Sequence, residues 1–459
     1  MTSKSLSLSA LLMIGFSLGL MMISPAQAEA PHVYAIQGIR IVTGAGPVIE
    51  KGVLIIKGGL VEEVGTTMAI PPEAALIDAK GLTAYPGLID MANSSGLDIT
   101  AAALPREAKT RMETERTYRQ ALLRPQLEAA ALIKAEMPEW KKLALQGITS
   151  ILAIPAGGGI QGCSSLVNTA IPEDPPQIGN VADERRGLFV VRTPVALHVS
   201  FPGRSSLGVY PGSLMGAMAF IRQAFLDAGH YRQEWEHYER SKGGESRPVY
   251  DAALEALQPS LEKKLPIIFA ASSAVEIHRV LTFTREFGLT PAILGGHGAD
   301  KVIEELREPK VRVLFSLNYP VRSKSLAPDA DESLRELRER SNVPKVPAIL
   351  NQAGILFAFA SDGLKDPKEF LRNAARAVKA GLPPDAALRA LTLDAASIAG
   401  VGRRLGSIEK GKIANLLLVD GDLFEEKTKL RHVFIDGRPV QADTTEAPAP
   451  SRRSSAIEN

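Results

Sequence analysis

The chain has 459 residues, 45% hydrophobic and 23% charged, which is the balance of a globular protein and excludes a largely disordered or fibrous one. Its 53 basic and 51 acidic residues leave a formal net charge of +2, so no excess of positive charge draws it to nucleic acid. A single cysteine, Cys163, excludes an intramolecular disulfide. With 39 glycines, 31 prolines and 5% aromatics, the composition suits a loop-rich α/β enzyme of two or three domains better than a coiled coil.

The first segment reads as an address. Lys4 precedes an uncharged stretch from Leu6 to Ile23, and Ala26-Gln27-Ala28 forms a small-residue cleavage pattern before Glu29. Residues 1–28 are therefore expected to be a signal peptide. Serines and glycines dilute the stretch, which favours cleavage over an uncleaved anchor. No cysteine at the cleavage point offers a lipid attachment, and no other run reaches spanning length. The mature chain is expected in the periplasm or released, off the membrane, held together by its core without disulfides.

Residues 29–85 read as short strands. Examples are Tyr34–Val42, Val53–Lys57 and Leu60–Val64, with turns at Gly44–Pro47 and Gly58-Gly59. Residues 401–440 look alike, with strand patterns at Lys412–Asp420 and Arg431–Asp436, so the two ends are expected to pair into one small β-sandwich. Between them, 86–400 alternates apolar strands with helices. The predicted strands are Ile148–Ile154, Phe189–Val195, Leu265–Ala270, Pro291–Leu294, Val311–Leu317 and Ile355–Ala360. The predicted helices are Pro125–Lys134, Met215–Arg240, Ala274–Phe287 and Pro367–Ala380, the last with Asp366 as its cap. Such alternation over this length fits a (β/α)8, TIM-like barrel. Residues 441–459 are polar and proline-containing, and read as a disordered tail.

Several motifs occur in a specific order. Ala84-Tyr85-Pro86-Gly87-Leu88-Ile89-Asp90-Met91 opens the barrel region. Gly147–Ile151, Pro211–Met215, Leu265–Ala270, His297-Gly298, Ala360-Ser361-Asp362, Ala387–Ser397 and Gly406–Asp420 follow. Together they resemble the amidohydrolase superfamily, in particular its exported, imidazolonepropionase-like members. The resemblance implies a metal-dependent-hydrolase barrel with a β-sandwich from both chain ends, acting on amide or cyclic amide C–N bonds. A divalent metal would activate water and polarise the carbonyl, and a carboxylate ending the last strand would move the proton.

The same resemblance implies a His-x-His pair after the first strand, a carboxylated Lys on the fourth, one His each on the fifth and sixth, and an Asp on the eighth. Here the His-x-His slot reads Ala92-Asn93-Ser94, the fourth-strand position aligns near Val195, and the fifth is Ala270. Neither Ala92 nor Ser94 is a plausible zinc ligand. Only His297 and Asp362 remain as candidate metal ligands, with Asp362 the candidate catalytic residue. No cofactor is expected, and zinc only if the site is rebuilt. Of the other candidates, His198 and Cys163 lie near strand ends, but a lone His or Cys is more often structural. Gly157–Gly162 lacks the Lys-Ser/Thr of a phosphate loop. His230 and Glu234 are spaced i,i+4 on a helix face that reads as solvated. His278 falls inside another predicted helix, and His32 and His432 lie in the β segments, so none of these three is a site candidate. Two functions follow: hydrolysis of C–N bonds by resemblance, or an inactive relative that binds a small molecule. Either could form a homo-oligomer, and the inactive form could pair with an active homologue.

Overall fold

The computed structural model describes residues 33–98, 110–134, 138–170, 189–202, 209–241 and 246–440, apart from 324 and 328. The expected signal peptide and C-terminal tail lie outside these. Among the described residues no helix is long and apolar enough to cross a membrane.

The N-terminal strands β1 (Val33–Ile41), β2 (Ile49–Lys57) and β3 (Leu60–Gly65) form an antiparallel meander. Gly58 and Gly59, both at positive φ, make the two-residue turn that a β-branched pair would resist. β4 (Ala75–Asp78) and β5 (Thr83–Pro86) both run parallel to β1.

The chain then enters a second group of strands. β6 (Leu88–Asn93) and β7 (Ile148–Ala153) are parallel. β8 (Gly159–Cys163) and β9 (Ser165–Asn168) are separated by Ser164 alone; β9 pairs antiparallel with β7, with β10 (Val190–Arg192) on its other edge. β8 pairs antiparallel with β11 (Leu197–Ser200), which begins a parallel run of β12 (Ile267–Ala271), β13 (Pro291–Gly295), β14 (Arg312–Ser316) and β15 (Phe357–Ala360). The bent β8–β9 segment thus links β7 to β11. Between β15 and β6, the backbone N–H of Asp362 donates to the Ala92 carbonyl at 3.2 Å. Side chains alternate with period two. Ile89, Met91, Leu152, Ile268, Leu314 and Ala358 fill one side. Ile151, Leu197, Phe269, Ile293, Val313 and Phe359 pack outward in a second core that helix residues share. With both faces buried, the strands read as continuous apolar runs.

The helices are α1 (Arg111–Leu122), α2 (Pro138–Ala144), α3 (Leu214–Arg240), α4 (Ala252–Leu261), α5 (Ala274–Phe287), α6 (Ile303–Arg307), α7 (Leu334–Asn342), α8 (Val346–Gln352), α9 (Lys368–Lys379), α10 (Pro384–Leu391) and α11 (Leu393–Ile398). α5 illustrates why they form. Ser273 and Glu276 make a reciprocal capping box, Ile277, Val280, Leu281 and Thr284 bury one stripe, and Gly288 ends the helix in the left-handed region.

The chain returns to the first sheet through β16 (Leu416–Asp420), antiparallel to β5, followed by β17 (Lys429–Ile435) and β18 (Arg438–Pro439). The two ends therefore share one eight-stranded sheet, with Ile36, Ile39, Leu54 and Val61 packed against Leu416, Leu418 and Phe434.

Two expectations fail locally. Only Val190–Arg192 of the predicted strand Phe189–Val195 is extended, as the edge strand β10. Pro194 has no N–H to continue a ladder, and the barrel-type strand starts at Leu197, so Val195 is not a strand position. The predicted helix Pro125–Lys134 is a single 3-10 turn, Ala129–Leu132. Its flanks are instead bridged to β8 through Leu123–Ile160 and Glu128–Cys163. The predicted α9 holds to within a residue: Asp366 Oδ1 accepts from the Lys368 N–H, and the helix begins after Pro367.

Candidate functional site

β12, β13, β14 and β15 run parallel, so their C-terminal ends lie on one edge, and the Asp362 N–H bond to the Ala92 carbonyl brings the end of β6 beside that of β15. The buried centre of this end is Asp90, fully enclosed. Its Oδ1 accepts from the Ser361 N–H at 2.7 Å and the Ala92 N–H at 3.1 Å; its Oδ2 accepts from Asn93 Nδ2 at 2.9 Å. Burial pushes the Asp90 carboxyl upward, and these donors oppose it. Ser361 Oγ donates to the Ala92 carbonyl at 2.8 Å, so β6 and β15 are stitched by side chain and backbone together.

Asp362 follows at φ +46, a left-handed conformation that a non-glycine residue adopts only where its surroundings hold it. Its N–H is held by Ala92 and its carbonyl by Asn318 Nδ2 at 3.2 Å, which leaves the carboxylate exposed at the rim. His297 is half-buried after β13, beside the Phe315 ring. Its Nε2 lies 3.0 Å from the Ser316 carbonyl. A carbonyl only accepts, so Nε2 carries the hydrogen and Nδ1 is the free acceptor. Burial lowers the affinity of His297 for a proton, partly offset by the Ser316 carbonyl and the charges of Asp362 and Glu339. His297 thus feels the field of the Asp362 charge.

The donor set does not fit a catalytic divalent ion. Ala92 offers only a carbonyl already taken by Ser361 and Asp362. Asn93 is committed to Asp90 and, through Oδ1, to the Ser95 N–H. Ala270 presents a methyl group, and Nε2 of His297 is occupied. Among the described residues no three His, Cys, Asp or Glu side chains come together. We derive no step through a metal.

The remaining sequence candidates separate. His198, rather than Val195, stands on a parallel strand, β11. It is fully buried, burial pushes its imidazole down to about 3, and its Nε2 finds no hydrogen-bond partner. Cys163 pairs in register with Leu197, and His198 with Gly162, so the thiol and the imidazole face opposite sides of the sheet. Burial, aided by Glu128, pushes the thiol up to about 12. A Cys163–His198 nucleophile pair is excluded on both grounds. His230 and Glu234 are an exposed pair at 3.5 Å, and His278 is paired with Glu305 on the surface. The positive-φ glycines of 157–162 serve close backbone packing: a Cβ on Gly159 would lie 2.3 Å from the Leu122 carbonyl oxygen.

The structure adds residues that sequence reasoning missed. Asp90 and Ser361 sat inside quoted motifs but were not singled out, because a buried carboxylate looks like any other in one sequence. Arg124 stands one residue before the predicted helix Pro125–Lys134. It is 9% exposed, with only Nη2 bonded, to the Ala156 carbonyl at 2.9 Å.

Residues 273–440 match the amidohydrolase family. The match covers 168 of the 459 residues. Over 403 residues the chain is 22% identical to Amidohydrolase tasK of Hapsidospora irregularis, covering 84% of this chain and 39% of that protein. The chain therefore spans about two fifths of the length of that relative. Among solved structures, an amidohydrolase from Thermotoga maritima MSB8 is similar with a TM-score of 0.71 and 24% identity, covering 89% of this chain and 99% of that one. A Xaa-Pro dipeptidase with bound methionine in its active site has a TM-score of 0.50 and 17% identity, with 89% and 99% covered. At these identities the likeness is one of fold. The matched stretch contains His297, Ser361 and Asp362, whereas Asp90, Asn93 and Arg124 lie before it.

Proposed function

We propose that the chain is an amidohydrolase-superfamily protein of the imidazolonepropionase-like kind, with a distorted eight-stranded barrel and a β-sandwich from both ends. Its mouth binds a small amide-like molecule, and its metal-dependent hydrolysis is lost or strongly reduced. The observation that carries this reading is the replacement of the His-x-His slot by Ala92-Asn93-Ser94, of which Ala92 and Asn93 are spent on the Asp90–Ser361 stitch. Asp362 and Nδ1 of His297 would accept hydrogen bonds from a ligand's N–H groups. Within this proposal the chain is exported and acts in the periplasm or outside the cell, alone, as a homo-oligomer or beside an active homologue.

A second reading, retained hydrolysis of C–N bonds, is favoured by the exposed Asp362 at the end of the last strand in an amidohydrolase-family domain. The two are separated by assaying mature protein on cyclic amides and dipeptides with added zinc or manganese. We expect no turnover above that of Asp362→Ala, together with ligand-induced thermal stabilisation. Turnover that metal raises and Asp362→Ala abolishes would establish the second reading instead.

A further inference from the structure

α9 turns one face into the core and leaves a second stripe looking towards the shared sheet. Phe370, Ala374 and Ala377 are the buried face. Lys368, Leu371, Arg372, Ala375, Arg376 and Lys379 recur three or four residues apart, which sets them on one side of a helix. Opposite them stand Leu417 and Val419 of β16, Leu430 of β17 and Phe424 in the connection between those strands. The two walls do not close. They bound a groove of about 620 Å³, the size of a small-molecule site, and such sites favour junctions between packed units. Its floor is continuous with the apolar core: Leu417 and Val419 belong to that core, and Leu371, Phe424 and Leu430 are half-buried against it.

Charge is uneven along the rim. Lys379 bridges the groove to Glu426 and closes that end. Arg372 pairs through Nη1 with Glu369 of its own helix, which leaves its other donors open. Arg376 lies over the Tyr319 ring at 5.0 Å and donates to Asn373 Oδ1 at 3.2 Å, with no carboxylate partner among the described residues. Lys368 has no ion-pair partner among the described residues and stands about 16 Å along the helix axis from the Lys379 bridge. Four cations therefore meet three carboxylates, Glu369, Glu425 and Glu426, which leaves one positive charge in excess.

We propose that this groove binds an alkyl carboxylate, a single anionic head on an unbranched apolar chain. Lys368 and Arg372 hold the head, and the chain lies along Leu371, Phe424 and Leu430. A polyanion would exceed the one spare charge, and a neutral ligand would leave it unmatched. The cations are exposed and well hydrated, so they select the head, while burial of the chain supplies the affinity. The site uses neither His297 nor Asp362 and requires no turnover.

The test is calorimetric titration of the mature protein with decanoate below its micelle concentration. Decylammonium, the same length of chain with the opposite charge, and acetate, the head without the chain, are titrated beside it. Saturable binding of one decanoate per chain is expected, with decylammonium and acetate at least about tenfold weaker. Lys368→Gln combined with Arg372→Gln should weaken decanoate at least about tenfold with an unchanged melting curve, because both side chains are exposed. Asp362→Ala should bind decanoate as the wild type does. No saturable decanoate binding, equal affinity for decanoate and decylammonium, or unchanged binding in the double variant would each overturn the proposal. So would loss of binding in Asp362→Ala, which would move the ligand to the mouth. A wild-type dimer in sedimentation that the double variant dissociates would overturn it too, because a second copy would then fill the groove.

Discussion

Asp436 and His198 pull stability in opposite directions with pH. Asp436 lies in the turn after β17 at φ +51 and accepts from Asn168 Nδ2 at 2.6 Å. Asn168 belongs to a buried cluster with Ser150 and Asn415. Burial pushes the Asp436 carboxyl up to about 7. Folding then binds a proton, so this group's stabilisation is complete below about pH 4 and is lost as pH rises through about 7. Asp436→Asn should leave stability near pH 4 little changed and raise it above pH 7, measured as urea midpoints across the range. His198, held neutral down to about 3, contributes stability that is present above about pH 6.5 and lost as pH falls towards 3. The two shifts are of similar size, so the wild-type profile flattens between them, and each single variant should expose the slope of the other. Asp90 shows no such slack. Asp90→Ala leaves the donors of Ser361, Ala92 and Asn93 unpaired in a dry site and should cost about 3 kcal/mol or more, read as a lower urea midpoint. None of this was legible in the sequence, because a buried carboxylate is recognised by its neighbours, and Ser361, which ties Asp90 to β15, lies about 270 residues away.

At the scale of elements, legibility followed punctuation. β12, β13, β14 and β15 are apolar runs bounded by glycine, proline or polar turns, and each appeared within two residues of its predicted place. The segment 122–134 did not, because its conformation is set by contact with β8 rather than by its own pattern. Leu122 and Leu127 place their carbonyl oxygens against Gly159 and Gly162, where any side chain would collide. Two glycines separate the steric cost from the dihedral cost. Gly354 and Gly159 both sit at φ +70, but Gly354 faces open space. Gly354→Ala should cost about 1 kcal/mol, whereas Gly159→Ala should cost about 3 kcal/mol or more, since dihedral strain and backbone overlap add. Denaturant melts of the two variants test the difference.

For the whole molecule, the composition and the alternation of elements were enough to anticipate an α/β chain, and in the structure strands from residues 33–86 and 416–439 share one sheet. That pairing ties the termini through β5 and β16, so a chain ending before Leu416 would bare the β5 edge and the cores around Leu417 and Phe434. It should be recovered as aggregate rather than as folded protein. Resemblance to a metal-dependent family anticipated an α/β fold, but the chemistry of a site is decided by a few side chains, and here Ala92 and Asn93 are engaged in hydrogen bonds within the protein. The most direct test is the metal stoichiometry of mature protein purified without chelator, read by inductively coupled plasma mass spectrometry. The account predicts zinc and manganese well under one ion per chain, unchanged in His297→Ala; close to one ion per chain, lost on His297→Ala or Asp362→Ala, would contradict it.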